Sequence, residues 1–272
     1  MADHTVVNAP TGLETLDVSA VADGRIVTVR LDRPSRMNAL SAQLLSEIVT
    51  VGRWLRDCDD VRVVVIDGAG EHFTAGFDLD DFSGPTTSDP RVNADLGRLA
   101  AEALSDVPQV TIAALRGHCI GGGVVLASCC DLRIAADNTM FRIPEVDLGI
   151  PLAWGGVPRL VREIGPAMAR ELILTCRPFD AAEAASLGFV NRVVAVDDLN
   201  TVAMDLATSL AAKPAFALRT TIAQVAAVTE DMISTRRNSN DADTLVVALR
   251  DEESRAISRA YLAARGRSDD RP

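Results

Sequence analysis

The stretch that most constrains this chain is Arg116-Gly117-His118-Cys119-Ile120-Gly121-Gly122-Gly123-Val124-Val125-Leu126-Ala127-Ser128-Cys129-Cys130-Asp131. It follows Val110-Thr111-Ile112-Ala113-Ala114-Leu115, an apolar run behind Pro108 that reads as a buried strand. Three consecutive glycines let the backbone approach a ligand closely. The small apolar residues after them predict a buried helix whose first N–H groups point forward. Such a turn holds negative charge. The charge is either a bound phosphate or one that appears only in a transition state, and the glycines leave both open.

Around this stretch, strands and helices alternate. Leu16-Asp17-Val18 and Arg25 to Leu31 read as strands joined through Asp23-Gly24. A helix is expected near Ser41, because Leu44, Leu45, Ile48, Val51 and Leu55 recur at spacings of three and four. Val61 to Gly68 is a central strand, and strand, helix and strand in this order predict a parallel right-handed crossover. Residues 80 to 92 read as a surface loop, and Val92 to Leu104 as a helix. Further strands are expected at Asp131 to Ala136 and Thr139 to Ile143. From Gly155 the pattern is helical: Val157 to Ile164, Ala167 to Leu174, Ala181 to Leu187, Leu199 to Ala211, Pro214 to Val228, and Ala242 to Ala264 with a hinge near Asp251. Val190 to Val194 is the one strand among them. The division that follows is a flexible arm over 1–14, an α/β core over 15–196 and a helical region over 197–272.

A net charge of -11 disfavours nucleic acid and membrane surfaces as partners, since both reward a basic face. Of 27 basic residues only Lys213 is a lysine, so catalysis through a lysine is unattractive. Cys58, Cys119, Cys129, Cys130 and Cys176 are odd in number and lack metal-ligand spacing, which fits buried thiols in a reducing cytoplasm. No metal site is expected. Neither a signal segment nor a membrane-spanning run is found. The missing Gly-Lys-Ser/Thr ending sets Gly121-Gly122-Gly123 apart from a nucleotide phosphate loop.

Three passages together resemble the crotonase superfamily, the enoyl-CoA hydratase/isomerase family. They are His72-Phe73-Thr74-Ala75-Gly76-Phe77-Asp78-Leu79, Gly117 to Gly123, and Phe141 to Ile150 with Gly155-Gly156-Val157-Pro158-Arg159-Leu160 behind. Leu31-Asp32-Arg33-Pro34 with Asn38-Ala39-Leu40, and Ala181 to Ala185 with Leu187 to Asn191, are further landmarks in the family's order. The resemblance implies an α/β crotonase (ClpP-like) fold, a repeated ββα spiral followed by C-terminal helices that mediate a homo-trimer or dimer of trimers. It also implies an acyl-CoA thioester as substrate, with coenzyme A carried by the substrate and no separate cofactor. The backbone N–H groups of Phe77 and Gly122 would form an oxyanion hole. Arg36, Met37 and Ala75 would lie by the adenine, and Asp78 would organise its loop.

Hydration in the family resembles a two-carboxylate reaction, and here the first carboxylate position is Val125. The second, Glu145, is retained, beside apolar neighbours expected to raise its pKa. One carboxylate beside an oxyanion hole suffices to move a double bond, so isomerisation is favoured. The alternatives are hydration with an acid not identifiable from sequence, and acyl-CoA binding without turnover. Asp147 either shares a face with Glu145 or caps a turn, the latter preferred. Ala153 replaces the second acid of dienoyl-CoA isomerases. Trp154 either lines the acyl pocket or packs on the next helix. His72 and His118 are expected to be structural or to lie on the adenine side, Arg159 to be an internal ion partner, and Arg255, Arg259 and Arg265 to be solvated.

Overall fold

The computed structural model describes residues 9–21, 23–78, 90–235, 238 and 240–264, with only the backbone of residue 90. Strands β1 (Leu16–Val21), β2 (Ile26–Leu31), β3 (Val63–Gly68), β4 (Val110–Leu115), β6 (Leu132–Ala136) and β9 (Arg192–Val194) form a sheet in the order β1-β2-β3-β4-β6-β9. β1 pairs antiparallel with β2, and all other pairs are parallel. Every residue of β3 and β4 is buried, which explains their unbroken apolar runs. Alternate side chains serve two cores. Val64, Ile66, Ala113 and Leu115 join the larger one, while Val63, Val65, Ile112 and Ala114 meet Leu199, Ala203 and Ala207 of helix α6 (Leu199–Ala211).

Helix α1 (Ala42–Arg56) starts at Ser41, whose side chain accepts the Leu44 N–H, and buries the expected stripe of leucine, isoleucine and valine. It provides the crossover between the parallel strands β2 and β3. Helix α2 (Pro90–Ser105) packs against it and begins inside the stretch expected to be loop; the rest of that loop lies outside the described residues. Helix α3 (Gly122–Ser128) is buried throughout. Helix α4 (Gly156–Thr175) joins the two helices expected there across a kink at Gly165-Pro166. α5 (Ala181–Ser186), α7 (Ala215–Met232), α8 (Asp241–Ala248) and α9 (Glu252–Ala263) follow, the last two separated near Asp251.

A second, three-stranded sheet joins β5 (His118–Ile120), β7 (Met140–Arg142) and β8 (Phe179–Asp180). β5 and β8 have no counterpart among the expected strands, because two or three residues are too short to display a period. The arm expected over 1–14 is fastened at its end: the N–H groups of Glu14 and Thr15 donate to the Glu47 carboxylate at 2.9 and 3.0 Å, and Leu13 packs on the core. No described helix is long and apolar enough to cross a membrane.

Candidate active site

The segment after β3 is pinned from both sides. Thr74 N–H donates to the His118 carbonyl and Ile120 N–H to the Thr74 carbonyl, while Leu40 N–H donates to the Gly76 carbonyl and Asp78 N–H to the Leu40 carbonyl. The last pair forms a parallel bridge between Leu40 and Phe77, and such a bridge turns the Phe77 N–H away from Leu40. Buried Asn38 fixes the other edge, donating its side-chain amide to the Ala69 and His72 carbonyls. Asp78 is buried and ion-paired with Arg33 at 2.9 Å and Arg36 at 3.3 Å, an organising role as expected.

Gly121 turns the chain from β5 into α3 with φ 53° and ψ −117°, a conformation open to glycine. Its N–H donates to the Arg142 carbonyl. Gly122 is the first residue of α3, so its N–H lacks an intrahelical acceptor. No hydrogen bond from it is formed among the described residues.

Glu145 enters from a tight turn that precedes a single 3₁₀ turn over Val146–Leu148. The N–H groups of Leu148 and Ile150 both donate to its carbonyl, and Ser258 of α9 donates its hydroxyl to the Leu148 carbonyl. The carboxylate is directed inward. Its Oε2 is buried without a hydrogen-bond partner, and burial pushes the pKa up to about 7, against a smaller lowering by a backbone hydrogen bond.

Two cavities meet at this carboxylate. The wider, of about 490 Å3, is lined by Arg36, Met37, Ala75, His118, Tyr261 and Leu262 among others. The narrower, of about 150 Å3, is a mostly apolar chamber lined by Gly122, Val125, Leu152, Ala153, Trp154, Leu245 and Leu249 among others. Phe77, Glu145 and Ile150 line both. Residues 68 positions apart in sequence, Phe77 and Glu145, thus share one junction, with Gly122 on its chamber side. Among the described lining residues of the chamber, Glu145 is the only carboxylate.

The other candidates fall outside that junction. Asp147 does not line either cavity; it is half exposed and paired with Arg142 at 2.7 Å. Trp154 both lines the chamber and packs, its indole edge-on to the Phe77 ring at 6.1 Å. His72 and His118 stack at 4.4 Å beside the wide cleft, and burial, then the neighbouring imidazole, pushes His72 below the usual range. Cys119 is a buried thiol whose pKa burial raises. The expectation for Arg159 is corrected: it is buried, forms no ion pair among the described residues, and donates its Nη1 to the Ser105 hydroxyl at 2.8 Å. Arg255 and Arg259 line neither cavity, and Arg265 lies outside the described residues. The contributions of Leu245, Leu249, Ser258 and Tyr261 carried no sequence signal, since each belongs to a helix docked from far along the chain. No metal-binding group of His, Cys, Asp and Glu is found among the described residues.

A family model for enoyl-CoA hydratase/isomerase matches residues 22–265. The chain belongs to the enoyl-CoA hydratase/isomerase family. A relative of this family enzyme, the probable enoyl-CoA hydratase echA8 of Mycobacterium bovis, is 41% identical over 201 residues, covering 72% of this chain and 76% of that protein. The short-chain-enoyl-CoA hydratase of Clostridium acetobutylicum is 34% identical over 208 residues, covering 76% and 80%. A solved structure of a probable enoyl-CoA hydratase from Mycobacterium thermoresistibile is similar with TM-score 0.77 at 32% identity, covering 89% of this chain and 97% of that one. The crotonase fold expected from the motifs is the fold of this enzyme.

Proposed function

We propose that this enzyme shifts a carbon–carbon double bond along the acyl chain of an enoyl-CoA thioester, with Glu145 as the only proton shuttle. The observation that carries the reading is one carboxylate, with its Oε2 buried and a pKa of about 7, between a wide cleft and a narrow, mostly apolar chamber. Coenzyme A occupies the wide cleft, its adenine end toward Arg36, Met37 and Ala75. The acyl chain enters the chamber.

The thioester carbonyl then lies at the junction and accepts the N–H groups of Phe77 and Gly122. Ionised Glu145 removes a proton from C2 of a 3-enoyl thioester. The C–H electron pair moves into a dienolate whose oxygen carries the charge, and two preset donors stabilise it by several kcal/mol because they need no reorganisation. Protonated Glu145 returns the proton at C4, giving the 2-enoyl thioester. Proton and charge balance, and no other reactant is consumed.

Hydration is the second reading, favoured by the names of the relatives. It requires a water to be positioned and deprotonated while another proton reaches C2. Val125 is fully enclosed and supplies neither function. Incubation with matched 3-enoyl-CoA and 2-enoyl-CoA, following double-bond transfer and water addition separately, decides between them. Transfer that falls about 10²–10⁴-fold in Glu145→Gln supports the proposal. Efficient wild-type hydration overturns it.

A further inference from the structure

We infer that Trp154 sets the acyl-size limit of this enzyme, confining it to acyl groups of about six carbons. The inference deepens the acyl-CoA reading above and rests on it.

Three features converge on the indole. First, Trp154 has φ 61°, in the left-handed region that bulky side chains rarely adopt. Glycine would hold that turn without strain, as the next residue, Gly155, does at φ 69°. A strained aromatic at a position suited to glycine calls for a function of its ring. Second, the ring is received by two glycines from separate helices. A Cβ on Gly97 of α2 or on Gly122 of α3 would overlap the indole carbons, so both positions are open only because they carry no side chain. Third, the ring meets Phe77 edge-on, at the mouth of the chamber.

The indole therefore fills space between α2 and α3 that would otherwise extend the chamber. What remains is about 150 Å3. An apolar protein cavity of about this size accommodates a benzene molecule, which fixes the scale at about six carbons. Tight interior packing keeps the limit sharp, because a buried ring cannot be compressed.

The test measures binding of unreactive saturated thioesters by calorimetry, so that turnover plays no part. Wild-type protein is titrated with coenzyme A and with butanoyl-, hexanoyl-, dodecanoyl- and hexadecanoyl-CoA. Affinity should rise to hexanoyl-CoA, at least about tenfold above coenzyme A, and rise no further. Trp154→Gly, which also relieves the backbone, should bind dodecanoyl-CoA about tenfold more tightly than wild type, with unchanged affinity for coenzyme A. Trp154→Phe should show a smaller shift in the same direction and keeps the test decisive if the glycine variant does not fold. Wild-type affinity that climbs through hexadecanoyl-CoA, or a chain-length profile unmoved in the folded variants, overturns the inference. Wild-type protein that binds none of these ligands overturns the acyl-CoA reading itself.

Discussion

The Oε1 atom of Glu145 lies 2.6 Å from the point that a Cβ on Gly121 would occupy. Glu145 is thus seated against the backbone of the turn that opens α3. Gly121→Ala should push the carboxylate out of the junction and strain a backbone at φ 53°. Activity should fall about 10²-fold or more, consistent with displacement by an ångström, and stability by about 1–3 kcal/mol. Steady-state rates and denaturant unfolding of the same preparation measure the two effects.

The pKa of about 7 at Glu145 fixes the pH dependence. Proton abstraction requires the ionised form, so kcat/KM for isomerisation should rise with pH and level off above about 7. Below that value it should fall tenfold per pH unit. A pH–rate profile with an acidic limb near pH 4.5 would falsify the assignment of Glu145 as the base in this environment.

The same burial should make Glu145 a burden on stability when it is ionised. Its carboxyl is raised from 4.5 to about 7 by burial, so the folded protein holds a proton that the unfolded chain has released. Stability is therefore lost as pH rises through this window, by on the order of 3 kcal/mol once it is passed. Glu145→Gln should accordingly raise Tm relative to wild type at pH 8 and leave it nearly unchanged at pH 4. Thermal unfolding at the two pH values reads the difference.

Val125 gives a further test, since it lines the same chamber as Glu145. Val125→Glu places a second carboxyl there, and two acids that share a confined site cannot both ionise easily. The acidic limb of the isomerisation profile should move upward by about one pH unit or more. Water addition to 2-enoyl-CoA should become detectable in the variant. An unmoved limb in a folded variant shows that the two positions do not communicate.

Helix α7 contains no buried residue, and the exposed Val225, Val228 and Met232 recur at spacings of three and four along one side of it. A face of this kind on a helix is expected to be covered by a second copy of the chain. If such a copy covers this side, Val228→Glu combined with Met232→Glu should give smaller species than wild type, measured by sedimentation velocity. A wild-type protein sedimenting as a monomer contradicts the expectation.

The core was readable because its residues repeat. The stripe from Leu44 to Leu55 has the helical period, and Val110 to Leu115 is an unbroken apolar run, so α1 and β4 followed directly. The glycines and Glu145 were readable as motifs, and each motif lies within one local turn. What could not be read is mutual. Trp154 gave no indication of whether it lined a pocket or packed on a helix, because its partner Gly97 is remote in sequence and carries no side chain to signal the contact. Asp147 would share a face with Glu145 only in an extended stretch, and the 3₁₀ turn instead directs it outward to Arg142, in keeping with the turn role preferred for it. Leu245 and Leu249 belong to a helix whose site role depends wholly on where it docks.

The docking of α8 and α9 has a consequence for the order in which the enzyme becomes competent. Phe77, Gly122 and Glu145 all precede residue 150, whereas Leu245 and Leu249 border the chamber and Tyr261 and Leu262 border the cleft. During synthesis Phe77, Gly122 and Glu145 leave the ribosome at least 117 residues before Leu262, the last of these walls. The chamber and the cleft are thus closed off only once the final helices have been made.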